Sequence, residues 1–331
     1  MSRRPKLPID PLADPDVPKG MSLALLQELH LLTRDGQLNQ DARRKLKQIR
    51  HFVGLLRPAL DDVYARHQEP VIVDCGAGKS YLGFLLYELV VGPSGRGRLC
   101  AVEVRQELVA AARQRAARFG HERFAFAAAR IGEGEGAPAA RDSAAPTQAP
   151  GAGQEGLPER LHVVVALHAC DTATDDAIAL ALRHRADYVA VVPCCQAEVA
   201  RQLRGPVGAA AALSADATDS DDAGEVLGFS GGAEDAPAQV AVDPLRALFR
   251  HPLHRRELGS HLTNVVRALA LTAHGYQVTV TELVGWEHSA KNELILARRV
   301  GRDNPRAAAE LAALCTRFGI QPAIVRALAT H

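Results

Sequence analysis

The sequence predicts an α/β fold: a mostly parallel seven-stranded sheet with an antiparallel edge strand and helices on both faces. Three observations predict it. Short apolar runs alternate with amphipathic stretches between residues 71 and 192. The runs Val71–Cys75, 98–104, 161–167 and 187–192 are nearly continuous in apolar residues, as in strands buried on both faces. Two later runs, 276–284 and Glu293–Arg299, follow each other with no helix between, which predicts an antiparallel hairpin.

The elements follow in order. Residues 1–20 are rich in Pro and charge and read as extended. Leu46, Ile49, Val53 and Leu56 recur at helical spacing and predict an amphipathic helix over 39–60. Arg43, Arg44, Lys45, Lys47 and Arg50 occupy the rest of its surface, either as a solvated face or as a patch for phosphates. Helices are predicted over 80–91, 106–119 and 172–185, and a further strand over 123–129. Residues 243–274 read as mostly helical with a break near Pro252, and a short helical tail ends the chain.

Residues 1–60 form an N-terminal extension with the basic helix, 61–300 the main domain, and 301–331 the tail. Two low-complexity insertions interrupt the main domain at about 132–160 and 205–240. The second holds seven carboxylates and no Lys or Arg.

Composition excludes some classes. With 331 residues and 47% hydrophobic residues, the chain can bury a large core. A net charge of +1 does not by itself call for nucleic acid, although residues 1–60 carry 11 Lys/Arg against 6 Asp/Glu. The six cysteines include no C-x-x-C pair and several sit in apolar runs, so reduced thiols are expected and structural zinc is not. No apolar stretch has the length of a membrane span, and the expectation is a cytoplasmic protein.

The strongest chemical signal is Asp74-Cys75-Gly76-Ala77-Gly78-Lys79-Ser80, where a strand runs into Gly-x-Gly and then a helix. Such glycines let the backbone turn sharply and let a ligand approach closely. A P-loop would need its first glycine at Val73, and a dinucleotide fingerprint its third at Tyr81, so neither motif fits. Asp-x-Gly-x-Gly after a strand is instead the usual first motif of class I methyltransferases. Glu103 stands 29 residues after Asp74 at the end of the second strand, where a carboxylate can accept from both hydroxyls of a ribose or be an ordinary strand-end acid.

Other segments are less determinate. His168, after the fourth strand, is a candidate general base, a holder of a cofactor's amino-acid end, or a strand-end histidine. Asp171 either orients a substrate amine or caps the helix beginning at Thr172. Cys194 and Cys195 read as small thiols near the cleft or, in one case, a nucleophile. The polar turn Trp286-Glu287-His288-Ser289-Ala290-Lys291-Asn292, the pair Arg255 and Arg256, and Asn264 either contact substrate or are plain surface.

Four motifs in order carry a family resemblance: Asp74 to Leu82; Leu167-His168-Ala169-Cys170-Asp171 with Thr174-Asp175; Pro193-Cys194-Cys195; and Glu287 to Asn292. Over roughly residues 40–300 the chain resembles the methyltransferase-domain family that includes methyltransferase-like protein 25 and the glutathione S-transferase C-terminal-domain-containing protein. The His-Ala-Cys and Cys-Cys elements also resemble tRNA 2′-O-methyltransferases, whose Cys/His zinc finger this chain lacks. The resemblance implies a Rossmann-like class I methyltransferase using S-adenosyl-L-methionine. It implies that Asp74, Gly76, Gly78, Lys79, Glu103 and His168 bind the cofactor; His168 and Asp171 stand as the candidate catalytic residues from the readings above. RNA is the expected acceptor because of the basic helix, with a protein or small molecule as the alternative. An NAD-dependent oxidoreductase and a non-catalytic module are the readings from other classes.

Overall fold

The computed structural model describes residues 14, 16–131, 157–167, 169, 171–193, 197–203, 245–283 and 292–329. The helices are α1 (Leu23–Glu28), α2 (Gln40–Arg66), α3 (Tyr81–Leu86), α4 (Gly92–Ser94), α5 (Gln106–Arg118), α6 (Ala173–Arg183), α7 (Glu198–Gln202), α8 (Arg246–Phe249), α9 (Pro252–Ala273), α10 (Pro305–Phe318) and α11 (Ala323–Ala329). A π-helical turn, Tyr87–Val91, joins α3 to α4. The strands are β1 (Val71–Cys75), β2 (Arg98–Glu103), β3 (Phe124–Ala128), β4 (Val163–Leu167), β5 (Tyr188–Val192), β6 (Tyr276–Glu282) and β7 (Glu293–Arg299).

They form one seven-stranded sheet in the order β3-β2-β1-β4-β5-β7-β6. Neighbours from β3 to β5 pair in parallel, whereas β7 is antiparallel to both β5 and β6. The fold expected from the alternation is therefore present, with one refinement. The reversed strand is not the outermost one but lies between β5 and β6. Composition accounts for this. Leu294, Ile295 and Ala297 of β7 are buried, while β6 is polar and exposed along most of its length.

Alternation along the central strands feeds two cores. Ile72, Leu99 and Val165 point to the face covered by α1, α2, α3 and α5. Val73, Val102 and Val164 point to the face covered by α6, α9, α10 and α11. Helix α2 begins where Asn39 accepts the Ala42 N–H at 2.7 Å. It continues two turns beyond the expected end at Leu60 because Leu60 and Val63 prolong its buried stripe past an exposed Pro58. Cys75 and Cys100 are buried and unbridged. Among the described residues no helix is long and apolar enough to cross a membrane.

Helices α7 and α9 meet at Gly259, where a Cβ would lie 2.6 Å from Ala200 Cβ and 2.7 Å from its backbone. Backbone cannot swing aside as a side chain does. Gly259→Ala is expected to cost about 2–3 kcal/mol by overpacking, measured by urea unfolding. Unchanged stability would mean that the two helices separate freely.

Candidate active site

The loop after β1 is held by its own amides. Gly76 and Ala77 donate N–H groups to the Val102 carbonyl at 2.9 and 3.0 Å, which bends the chain across the end of β2. Gly76 and Gly78 have φ of +67° and +57°, values that L-residues with side chains rarely adopt. A Cβ on Gly76 would also stand 3.3 Å from Ala169 Cβ, so the loops after β1 and β4 touch. Lys79 is exposed beyond them.

Asp74 sits at the bend, 2% exposed. It accepts the Gly83 backbone N–H, but its Oδ2 has no hydrogen-bond partner. Burial above all, with the nearby Glu103 charge adding to it, pushes its pKa up to about 7, while the Gly83 amide works the other way. A buried acceptor without a donor is costly, and ligand sites are where such groups persist. Asp74 in fact lines a cavity of about 140 Å³ together with Lys45, Gln48 and Ile49 of α2, Tyr81 of α3 and Leu167 of β4. Lys45 Nζ lies 3.7 Å from an Asp41 oxygen and 5.7 Å from the Tyr81 ring centre. The basic helix is thus one wall of the cleft. Arg43 has another task, pairing with Asp14 at 2.8 Å and with Asp16.

Glu103 is 7% exposed at the tip of β2. Its Oε2 accepts the Gly78 N–H at 2.8 Å, and its Oε1 accepts the Arg105 N–H at 3.1 Å and Arg105 Nε–H at 2.8 Å. Burial disfavours its charge, but Arg105 and the two amides outweigh that and hold its pKa below the ordinary carboxylate value. Val104 beside it is 59% exposed, an apolar surface next to a charged acceptor.

Across the cleft, Asp171 does not cap the helix that follows it. Its φ is +47°, and its Oδ1 accepts the N–H groups of Ala197 and Glu198 at 3.1 and 3.3 Å, so it caps α7. Its Oδ2 pairs with Arg201 at 3.1 Å. It does not line the cavity beside Asp74. Its carbonyl accepts from Arg267 Nη2 at 2.8 Å. Arg267 is fully buried and grips Asp175 through Nε at 2.8 Å and Nη2 at 2.9 Å, with Asn264 Oδ1 at 3.2 Å from Nη1. Asn264 therefore serves this network rather than the surface. His168, Cys170, Cys194, Cys195 and the turn 284–291 lie outside the described residues, as do both insertions apart from 157–160.

The structure brings Asp74, the glycine loop and Glu103 together as expected, and Lys45 with them. Sequence reasoning did not single out Gln48 or Val104, which carry no motif, and read Ile49 only as helix core and Tyr81 only as part of the run Asp74 to Leu82. It also missed Arg267, which is 92 residues from its acid in the chain.

A central β1 followed by a glycine loop, an acid ending β2, and a reversed seventh strand inserted beside β5 define a class I methyltransferase. Residues 44–202 match the model of a methyltransferase domain family. The chain is an S-adenosylmethionine-dependent methyltransferase, with S-adenosyl-L-methionine as its methyl donor. No curated protein matches it. Similar solved structures include an rRNA methylase from Streptococcus thermophilus, 9% identical, with a TM-score of 0.37, covering 75% of this chain and 95% of that one. Another is the magnesium protoporphyrin IX methyltransferase from Synechocystis with bound SAH, 11% identical, with a TM-score of 0.39, covering 83% and 93%. A third is the precorrin-6y C5,15-methyltransferase from Geobacter metallireducens, 14% identical, with a TM-score of 0.36, covering 74% and 89%.

Proposed function

We propose that this chain methylates RNA, tRNA or rRNA, in the cleft between α2 and the ends of β1 and β4. The observation that supports this reading is the place of Lys45, which comes from the basic helix and lines the same cavity as Asp74. The cavity suits the amino-acid end of the cofactor rather than the whole molecule. Asp74 Oδ2 waits for a donor, which the α-ammonium supplies, and Lys45 is at hand for the α-carboxylate. Gly76 and Gly78 leave room for close approach, Lys79 flanks the loop, and Glu103 turns from Arg105 to the ribose hydroxyls. His168 is the candidate base for the acceptor proton, and Asp171, three residues on, caps α7. The enzyme works chiefly by aligning acceptor and methyl group for in-line attack.

The motifs shared with methyltransferase-like protein 25 and its relatives support membership of that branch, and the unbridged thiols support a cytoplasmic site of action.

Labelled methyl groups from S-adenosylmethionine, followed into fractionated cell RNA, protein and metabolites, test the acceptor. Label is expected in RNA and absent with Asp74→Ala. Label confined to protein or metabolites would overturn the RNA assignment. In binding assays Lys45→Glu with Lys47→Glu is expected to weaken RNA binding and to lower the log–log salt slope by roughly 1–2. A slope equal to that of the unmodified protein would remove the basic helix from the RNA surface.

A further inference from the structure

The end of the strands opposite the glycine loop carries a second concentration of donors. There a hollow of about 400 Å³ is lined by Arg98, Arg123, Arg160 and His162, with Glu69 at its rim. Parallel pairing gathers them. Arg98 opens β2 beside Val71 of β1, Arg123 directly precedes β3, and Arg160 and His162 lead into β4. The four are far apart in the chain, so no motif announces them.

His162 is the informative member. It is 5% exposed, and its Nδ1 accepts the Val71 N–H at 2.9 Å. That bond places the imidazole proton on Nε2. No described residue accepts the Nε2 proton. Burial, with the charges of His67, Arg160 and Arg66 and against that of Asp187, lowers the His162 pKa to about 4, so the ring is neutral, an acceptor at Nδ1 and a donor at Nε2.

His67 and Asp187 stand close enough to His162 to suggest a metal, since one ligand atom of each lies within 4.8 Å of the others. The hydrogen bonds argue against that. A metal on Nε2 requires the proton on Nδ1, where it would face the Val71 N–H instead of an acceptor. Asp187 is also taken already, by His67 Nε2 at 2.8 Å and Arg66 at 3.5 Å.

The charges favour an anion. Arg98 is exposed and makes no side-chain bond among the described residues. Arg160 is 4.0 Å from Asp187 and 61% exposed. The one acid of the lining, Glu69, is held by Arg123 at 3.4 Å and by the Gly97 N–H at 3.0 Å. Three guanidinium groups and the neutral His162 ring therefore line a space whose one carboxylate is compensated, with Asp187 behind it held by His67 and Arg66.

We propose that this hollow binds a phosphate-type oxyanion, at a site separate from the methyl-transfer cleft. Inorganic phosphate, titrated into the full chain at constant ionic strength and followed by phosphorus NMR and thermal shift, is the probe. Binding beyond that of chloride is expected. Arg98→Ala combined with Arg160→Ala changes only exposed side chains and is expected to weaken phosphate at least about tenfold. S-adenosylhomocysteine affinity should stay within about twofold in the same variant, because the two sites lie at opposite ends of the strands. Competition by a short RNA would make the natural ligand a backbone phosphodiester, and lack of competition a free phosphate compound. Phosphate behaving as chloride, or binding the double variant as tightly as the parent, would overturn the proposal. So would stoichiometric zinc binding abolished by His162→Gln.

Discussion

Arg267→Met is expected to lower the unfolding free energy by about 3–5 kcal/mol, the usual loss when one partner of a buried ion pair is removed. Arg267 is fully buried, and three of its nitrogens are bonded to Asp175, Asn264 and the Asp171 carbonyl. Without it the buried Asp175 carboxylate loses its counter-charge and must either take up a proton or stay charged beside Glu198 and Asp171. Burial already holds the Asp175 pKa above the ordinary value even though Arg267 opposes the shift. Asp171 would lose the anchor on its carbonyl while remaining in a left-handed conformation. Urea unfolding measures the loss. Pairing Arg267→Met with Asp175→Leu should recover much of it, since an apolar pair carries no desolvation cost. A loss under about 1 kcal/mol in the single variant would mean that water reaches Asp175.

Asp74→Asn is expected to act in opposite directions on the free and the liganded protein. The folded-state pKa of Asp74 rises from 3.8 to about 7, so folding favours its neutral form. Its contribution to stability is fully present below the unfolded pKa and is lost as pH rises through about 7. At pH 8 the charged carboxylate is therefore a burden, on the order of 4 kcal/mol, that asparagine removes. The variant should melt higher than the parent at pH 8, and its stability should vary less between pH 5 and 8. Calorimetry should meanwhile show its affinity for S-adenosylhomocysteine reduced about tenfold or more, because the ammonium loses its counter-charge. Unchanged affinity would remove Asp74 from the cofactor site.

The parts of the fold that were legible are those written in consecutive residues. β1 lies between Pro70 and Gly76, and its bounds match the apolar run residue for residue. β7 does the same. Helices α1 and α7, of six and five residues, escaped because so short a stretch shows no period. The order of elements alone also leaves open where the reversed strand inserts. In the site, Asp74, the glycine loop and Glu103 could be read because they end two adjacent strands. Lys45 could be seen as basic but not as a cavity wall, since its neighbour across the cleft is 29 residues away. Asp171 misled because a helix start beside it offered a local partner, whereas its carboxylate spans to amides 26 and 27 residues on.

The place of β1 bears on how the molecule is born. The first strand to leave a ribosome is an interior one, and its two neighbours are β2, which follows soon, and β4, which emerges about 90 residues later. Until then one side of the donor loop has no neighbour. At the far end β6 cannot attach before β7, made after it, has entered between it and β5. Nascent chains halted between β6 and β7 should therefore remain open to protease at their carboxyl-terminal third, long after the half that holds the cofactor loop has closed.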